Sequence, residues 1–578
     1  MKFIFRYLKP LWKSLILVLI LKFLATFLEL FIPKILEYII DDLVPLKSVP
    51  VVVLWGCIMI ALSFAVRQTN VFANRKAVKN ASECIYAIRK DLFEKTMNLS
   101  GEVFDSFGLP SLTSRMTSDS YNVQNFIRMI QTMGIRAPIL LVGGIVMTFM
   151  MDRGLALILC IIAPVMICIV VFISFKGIPM YENVQRKMDD IVRVMRENIT
   201  GVRVVKALSK EEYEMRRFEG FNDEMAKADT KAGVVMSLPG PVMQLFLNGG
   251  LTLVVYIGAV RVNSGATEPG VILAFLTLFN MVLMGVMGLN RIFMMMSKAD
   301  ASAKRIAATV EAQNTLEIAG ANEADATADF IVFDHVSFGY AKVEDDTVDG
   351  EERTKAVSDI DFRIPKGHSL GIIGPTGCGK TTIFNLLMRF YDADTGKILI
   401  DGRNVKEYEK DELHSRFGAV FQNDVLLTGT IRDNIVFGRD VTEEQVELAA
   451  KCAGAYEFIE KYDDGFDHHV DKLGSNLSGG QKQRVLIARA LVGNPEILIL
   501  DDSSSALDYR TDANVRKAIR ENCPDVTQLI VAQRISSIMS CDEILMIENG
   551  AIVGRGSHEE LLDTCPNYRE IYLTQMGE

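Results

Sequence analysis

The most specific chemistry in the chain lies in Gly374-Pro375-Thr376-Gly377-Cys378-Gly379-Lys380-Thr381. This stretch follows an apolar run, His368 to Ile373, that reads as a buried strand, and it precedes a helical run from Thr382 to Phe390. A glycine-rich turn between strand and helix lets backbone N–H groups close around phosphate oxygens. The helix start adds its partial positive charge. Lys380 is placed to neutralise β- and γ-phosphates, and Thr381 to offer a hydroxyl to Mg²⁺. A second apolar run, Ile497-Leu498-Ile499-Leu500, ends in Asp501, as expected of a carboxylate that holds the magnesium shell. In a parallel sheet such an end lies at the carboxyl edge, beside the phosphate turn. A third turn, Leu477-Ser478-Gly479-Gly480-Gln481, opens a helix from Lys482 to Leu491 and is another potential phosphate cradle. It cannot easily serve the same nucleotide, so each turn is expected to complete a site on another copy.

The elements that must position these residues divide the chain in two. At 578 residues it is too long for one core. Hydrophobic residues make up 49%, and the excess sits in the first half, while the second half reads as a soluble α/β unit. A bilayer-crossing helix needs about 20 mainly apolar residues. Six candidates fall at about Leu15–Leu36, Val49–Val66, Ile135–Met151, Leu155–Phe175, Val242–Val260 and Val271–Phe293. Lys2, Arg6, Lys9 and Lys13 before the first span put the N-terminus in the cytoplasm. Glu37, Asp41 and Asp42 then lie outside, and Arg67, Arg75, Lys76 and Lys79 inside. An even number of spans returns the chain to the cytoplasm, where ATP is. Met1 to Pro10 is basic, but no small-residue cleavage site follows the apolar run, so the first span is expected to stay as an anchor.

Two charged, helix-forming stretches, about Arg67–Gly134 and Lys176–Leu238, read as helices extending out of the membrane. Each is broken, at Phe107-Gly108-Leu109-Pro110 and at Ile199-Thr200-Gly201, by either a simple loop or a short helix able to dock on the soluble unit. Lys22 and Glu29 share a face of the first span. Lys22 reads as snorkelling to the inner headgroups. Glu29 reads equally as functional or as reaching outer water, and Arg136 reads as an interfacial anchor. Met281, Met284, Met287, Met294, Met295 and Met296 enrich the sixth span; each alone reads as apolar filler, and as a set they suit an adaptable pocket.

From Thr315 to Asp329 the composition is that of a solvated linker, giving a membrane domain over 1–312, a linker over 313–328 and a soluble domain over 329–578. The acidic run Glu344–Glu352 reads as an exposed hairpin loop. A net charge of −10 argues against a nucleic-acid partner. Nine scattered cysteines without a CxxC pair read as reduced thiols.

Taken together, the phosphate turn, Leu-Ser-Gly-Gly-Gln, and the strand ending in Asp501 resemble an ATP-binding cassette (ABC) protein. With six spans ahead of the cassette, nearly the whole chain resembles a half-transporter of the bacterial multidrug-exporter type. The resemblance implies a six-helix membrane domain fused to an α/β P-loop NTPase domain in the cytoplasmic membrane. It implies Mg²⁺ and ATP as cofactors. It implies that Tyr340 stacks on adenine, that Thr382 joins the phosphate turn, and that Gln422 touches Mg²⁺. It further implies that Ser478, Gly479, Gly480, Gln481 and Asp508 (in Ser505-Ala506-Leu507-Asp508) face the nucleotide of a second subunit.

Three departures stand out. Where the family has a glutamate that polarises the attacking water, this chain has Asp502; where it has a switch histidine, this chain has Gln533. Val470-Asp471-Lys472 replaces a Gly-Glu pair upstream of the Leu-Ser-Gly-Gly-Gln turn. Aspartate draws its carboxylate back by one methylene, and glutamine cannot carry a proton. The pattern resembles one subunit of a heterodimeric exporter, with a slow site on this chain's own P-loop and a competent site completed on the partner; a slow homodimer is the alternative. The expected function is ATP-driven efflux of amphipathic compounds. A lipid or peptide exporter and an ATP-binding gating subunit are the other readings. The first residues hold no protease domain, which counts against a peptide-processing exporter.

Overall fold

The computed structural model describes residues 2–313, 316, 329–344, 347–503 and 507–577. They fall into two units, Met1–Met97 with Pro110–Glu311, and Asn98–Leu109 with Ala312–Glu578. Most of the expected linker, and Ser505 and Ala506, lie outside the described residues.

The first unit is helical. Its helices include α1 (Trp12–Glu29), α2 (Val49–Met97), α4 (Ser120–Met133), α5 (Arg136–Met151), α6 (Arg153–Thr200), α7 (Val202–Ala207), α8 (Glu211–Ser237), α9 (Pro239–Asn263) and α10 (Pro269–Val310); α3 (Gly101–Phe107) belongs to the second unit. Among the described residues, 6 helical segments are long and apolar enough to cross a membrane, one over each predicted span. The first span is interrupted after α1, because Pro33 cannot continue the helical ladder and opens a new short helix, Ile32–Tyr38. α2 has 49 residues. At about 1.5 Å per residue it is roughly 73 Å long, more than twice the hydrocarbon core of about 30 Å. It therefore extends well beyond the bilayer, as its charged half predicts.

Polar corners fix several helix starts. Asp152 caps α6, accepting from Gly154 N at 2.7 Å and Leu155 N at 3.0 Å, while Arg261 Nε donates to it at 3.1 Å. Asp41 accepts from Gly270 N at 2.6 Å at the start of α10. α10 carries the most buried of the six apolar segments among the described residues. It packs on α5 at van der Waals distance through small residues: a Cβ on Gly285 would lie 2.9 Å from Ala137 O, and one on Gly144 2.5 Å from Val282 Cγ2.

Two expectations about intramembrane charge are corrected. Lys22 does not snorkel; it is 3% exposed, and its Nζ donates to Asn70 Oδ1 on α2 at 2.9 Å. The neighbouring long helix supplies a polar partner inside the protein. Arg136 is more than an anchor, since its Nη2 pairs with Glu29 Oε1 at 3.0 Å and so neutralises a costly membrane charge.

The second unit holds strands β1 (Ile331–Glu344), β2 (Thr347–Ile364), β3 (Ser369–Ile373), β4 (Thr395–Ile400), β5 (Arg403–Asn404), β6 (Phe417–Val420), β7 (Gly429–Thr430), β8 (His469–Val470), β9 (Ile497–Asp501), β10 (Thr527–Val531), β11 (Glu543–Glu548) and β12 (Ala551–Gly556). One sheet has the order β12-β11-β3-β10-β9-β6, a second the order β2-β1-β4-β5, and β7 pairs β8. β11, β3, β10, β9 and β6 run parallel, and β9 and β10 are buried throughout, as an interior strand with both faces covered requires. Strand pairing extends into the acidic run Glu344–Glu352, expected to be loop: Glu344 pairs with Thr347 and Lys342 with Asp349. Backbone pairing along a hairpin is indifferent to side-chain charge, which is why composition misreads it. All nine cysteines are free.

Below the membrane helices, Asp119 is 2% exposed and accepts from Ser302 Oγ at 2.8 Å and Arg305 Nε at 2.8 Å. It ties the segment before α4 to the end of α10. Asp119→Ala should cost about 2–3 kcal/mol, since it strips a charge-assisted pair and leaves Ser302 without its acceptor. Thermal unfolding in detergent measures this; a change below about 0.5 kcal/mol, the size of ordinary surface substitutions, would show that the network does not stabilise the fold.

Candidate nucleotide site

Parallel strands deliver the site residues to one sheet edge. β3 runs into the turn Gly374–Gly379, which leads into helix α11 (Lys380–Leu387). Gly379 holds φ +102°, a conformation that favours glycine, and a Cβ there would lie 2.7 Å from Ala356 O. The Lys380 ammonium folds over the turn, donating to Gly374 O at 2.9 Å and Pro375 O at 2.7 Å. Thr381 Oγ1 donates to Asp501 Oδ2 at 2.9 Å, joining the α11 start to the end of β9. A hydroxyl and a carboxylate so placed suit a hydrated divalent cation at a triphosphate.

Beside Asp501, Asp502 has φ +49°, and its Oδ2 accepts from Gln533 Nε2 at 3.0 Å. The pairing follows from register: Val531 sits opposite both Ile372 and Asp501, so the residues after β10 lie between the phosphate turn and the β9 end. Burial pushes the Asp501 carboxyl above its ordinary range, and the neighbouring Asp502 adds to this, while Thr381 and Lys380 oppose it. Burial likewise raises Asp502, with Lys380 and Arg534 opposing. Two carboxylates held against raised pKa values attract a cation.

A cavity of about 360 Å³ lies over this edge, and its lining includes Tyr340, Thr376, Lys380, Gln422, Asp502 and Gln533. The Tyr340 hydroxyl lies 3.3 Å from Thr382 Oγ1 and accepts from Asn385 Nδ2 at 3.3 Å. The Leu-Ser-Gly-Gly-Gln turn is not part of this lining. Ser478 caps helix α12 (Gly479–Leu491): its Oγ accepts from Gln481 N at 3.3 Å, and Gln481 Oε1 accepts from Ser478 N at 2.8 Å. Asp508 caps helix α13 (Tyr509–Asn522), accepting from Thr511 N at 3.1 Å, and is likewise outside the lining.

Sequence reasoning missed two groups. Gln575, on helix α14 (Pro566–Met576), donates to Gln533 O at 2.7 Å and accepts from Ile535 N at 2.8 Å, and so pins the loop that carries Gln533. The second group docks α3. Gly101 N donates to Phe390 O at 3.2 Å, and a Cβ on Gly101 would lie 2.8 Å from that oxygen and from Tyr391 Cζ. Tyr391 donates to Asp105, and its ring meets Tyr340 edge-on at 5.3 Å. Arg353 donates to Glu102 at 3.0 Å and also binds Asp394. The docking helix thus lies just before the expected break, which ends it at Gly108, φ +69°. Gly108 and Pro110 mark its end in the sequence; nothing in the sequence marks Tyr391 or Gln575.

Asp501→Asn separates the two roles of that carboxylate. A carboxyl with a raised pKa costs the fold stability at neutral pH, a cost relieved as pH falls through the raised value. The amide removes the cost, so the nucleotide-free full chain should melt about 1–2 °C higher at neutral pH. The additional stabilisation by Mg·ATP should vanish. A lower melting temperature without nucleotide would mean that the Thr381 bond outweighs the burial cost.

Known proteins with this arrangement are numerous. The ABC transporter transmembrane region family matches residues 15–287, and the ABC transporter family matches residues 357–505. An uncharacterized ABC transporter ATP-binding protein of Bacillus subtilis is 33% identical over 99% of this chain and 98% of its own length. An ATP-dependent lipid A-core flippase of Vibrio vulnificus is 31% identical over 86% of this chain and 83% of its own. A solved bacterial Atm1-family ABC exporter with ATP bound superposes with a TM-score of 0.79 at 25% identity, covering 99% of this chain and 100% of that one. With its membrane helices, its phosphate turn and its Leu-Ser-Gly-Gly-Gln turn in one polypeptide, the chain belongs to the ABC transporter family.

Proposed function

We propose that the chain is one half of a dimeric, ATP-driven exporter of amphipathic compounds, and that its own P-loop site is degenerate and paired with a competent site on a different subunit. The observation that carries this reading is the 3.0 Å bond from Gln533 Nε2 to Asp502 Oδ2. Hydrolysis needs a carboxylate aimed at the attacking water. Here the carboxylate is the shorter aspartate, and an amide that cannot take a proton is bound to it. Such a site suits prolonged ATP retention. Within it, Lys380 and the turn Gly374–Gly379 would hold the phosphates, Thr381, Asp501 and Gln422 the Mg²⁺, and Tyr340 and Thr382 the remaining nucleotide contacts. Ser478, Gly479, Gly480, Gln481 and Asp508, outside this cavity, would serve the partner's ATP. The basic flanks of the spans support a cytoplasmic N-terminus and cassette in the cytoplasmic membrane.

The contact of α3 with Tyr391 gives nucleotide occupancy a route toward the membrane helices, because Tyr391 touches both Tyr340 and Asp105. α7, at the second break, presents exposed Val202 and Val204, a face suited to docking on a cassette.

Introducing Asp502→Glu with Gln533→His should raise ATPase turnover about tenfold or more in the assembled transporter, by restoring reach and proton transfer. Unchanged turnover would remove the degenerate-site reading. The chain alone should be nearly inactive and be revived by its partner subunit; brisk turnover alone would favour a homodimer. Tyr391→Phe, which keeps the ring and removes the hydroxyl, should leave ATP affinity within about twofold, as expected for one hydrogen bond outside the nucleotide contacts. It should lose most of the substrate-stimulated ATPase. Full stimulation would show that the Asp105 bond carries no coupling.

A further inference from the structure

Four cations converge in the membrane unit. Lys22 on α1, Arg128 on α4, Arg136 at the start of α5 and Arg291 on α10 line one cavity of about 370 Å³, together with Asn74 and Thr132. The carboxylate inventory around them is short. Arg136 pairs with Glu29, yet its Nε is buried without a hydrogen-bond partner. Among the described residues, the acceptor for Lys22 is the side-chain Oδ1 of Asn70 at 2.9 Å and that for Arg128 is the side-chain Oδ1 of Asn125 at 3.3 Å. Among the described residues Arg291 has no ion pair. Among the described residues, the lining of this cavity thus holds four cations and no carboxylate, and the nearby Glu29 is already paired with Arg136.

Charge inside a membrane domain is costly and is ordinarily paired off. Lys22 is 3% exposed, so its ammonium has given up most of its water for one neutral acceptor. Such a cluster is under-neutralised by the protein itself, and its field favours an anion that approaches from the cavity. Guanidinium groups add bidentate geometry for phosphate, sulfate or carboxylate.

The cavity continues into an apolar one. A second space of about 220 Å³ shares Met133, Arg136 and Arg291 with the first and is otherwise walled by Ala137, Leu140, Met284, Met287 and Gly288. Met284 and Met287 are among its walls and are 62% and 52% exposed, with flexible thioethers that suit varied shapes. A charged pocket and a methionine-lined pocket joined at two arginines fit a molecule with a charged head and an apolar body.

We propose that this double cavity is the substrate site and that it selects anionic amphiphiles, the head held by Lys22, Arg128, Arg136 and Arg291 and the apolar body by Met133, Met284 and Met287. The assignment rests on the exporter reading and narrows it: hydrophobic cations are rejected by the same field that holds an anion. The shared chemistry is an anionic head on an acyl or alkyl body, whether the molecule comes from the bilayer or from the cytoplasm.

The test uses the assembled transporter in nanodiscs of zwitterionic lipid without nucleotide. Binding of dodecyl phosphate, dodecyltrimethylammonium and inorganic phosphate is measured by microscale thermophoresis. Dodecyl phosphate should bind at least about tenfold more tightly than the cation, and more tightly than inorganic phosphate. Arg128→Gln and Arg291→Gln leave Glu29 paired; each should weaken dodecyl phosphate about tenfold and leave the cation unchanged or tighter. Adding phosphatidylglycerol to the discs separates the sources: competition assigns a bilayer lipid, and undiminished binding assigns a soluble amphiphile. Equal or tighter binding of the cation by the unsubstituted transporter overturns the proposal, whatever the variants do; so does dodecyl phosphate binding that neither variant changes. ATP-dependent movement of cationic or neutral amphiphiles alone would sink this site while keeping the exporter. Dodecyl phosphate binding with no ATP-dependent movement of any probe would keep the site and sink the exporter.

Discussion

The parallel register of β3, β10 and β9 is the constraint on which the nucleotide site depends. It sets Val531 opposite both Ile372 and Asp501, and so lines up three strand ends that are far apart in the chain. From these ends come the phosphate turn, the Gln533 loop and the paired carboxylates Asp501 and Asp502. The register is held by strands whose side chains are apolar and buried on both faces, so a slip would expose them or bury the carboxylates deeper. The Thr381–Asp501 bond closes the arrangement at 2.9 Å. Every chemical feature of the site is thus secured by apolar packing beneath it, where no chemistry takes place.

Close backbone approach plays the corresponding part where α3 meets the cassette. Gly101 lets the α3 start come within hydrogen-bond distance of Phe390 O, and any side chain there would collide with Tyr391. That approach brings Asp105 and Glu102 to Tyr391 and Arg353. A ring that touches both Tyr340 and an acidic docking helix can report on the nucleotide pocket without belonging to it. Two arrangements of such a contact, one with nucleotide and one without, are what coupling of ATP to movement requires.

The membrane unit handles charge in two ways. Asp152 and Asp41 accept from backbone N–H groups at helix starts, and Asp152 accepts from Arg261 as well. Elsewhere Lys22, Arg128 and Arg291 line a cavity whose described lining holds no carboxylate. The first arrangement joins helix ends; the second, on the reading proposed above, offers its positive charge to a ligand.

Much of this was legible in the sequence, for identifiable reasons. Apolar runs long enough for a bilayer located the spans, since hydropathy is a property of local composition. The P-loop, the Leu-Ser-Gly-Gly-Gln turn and Asp501 were legible because phosphate and magnesium chemistry demands fixed residue types at fixed short spacing. Asp502 and Gln533 stood out singly, but only the strand order, β10 between β3 and β9, makes them partners. The acidic run before Glu352 misled, because strand pairing satisfies the backbone whatever the side-chain charge. Lys22 misled because its alternative to the headgroups, Asn70, lies on another helix. Gln575, Tyr391 and the convergence of Arg128 with Arg291 have no local signature at all. The sequence by itself determined which chemistry the chain carries and which segments cross the membrane, because both follow from neighbours in the chain. The tertiary structure alone decided which of those groups meet, because contacts between distant segments depend on packing and register that no short window of sequence contains.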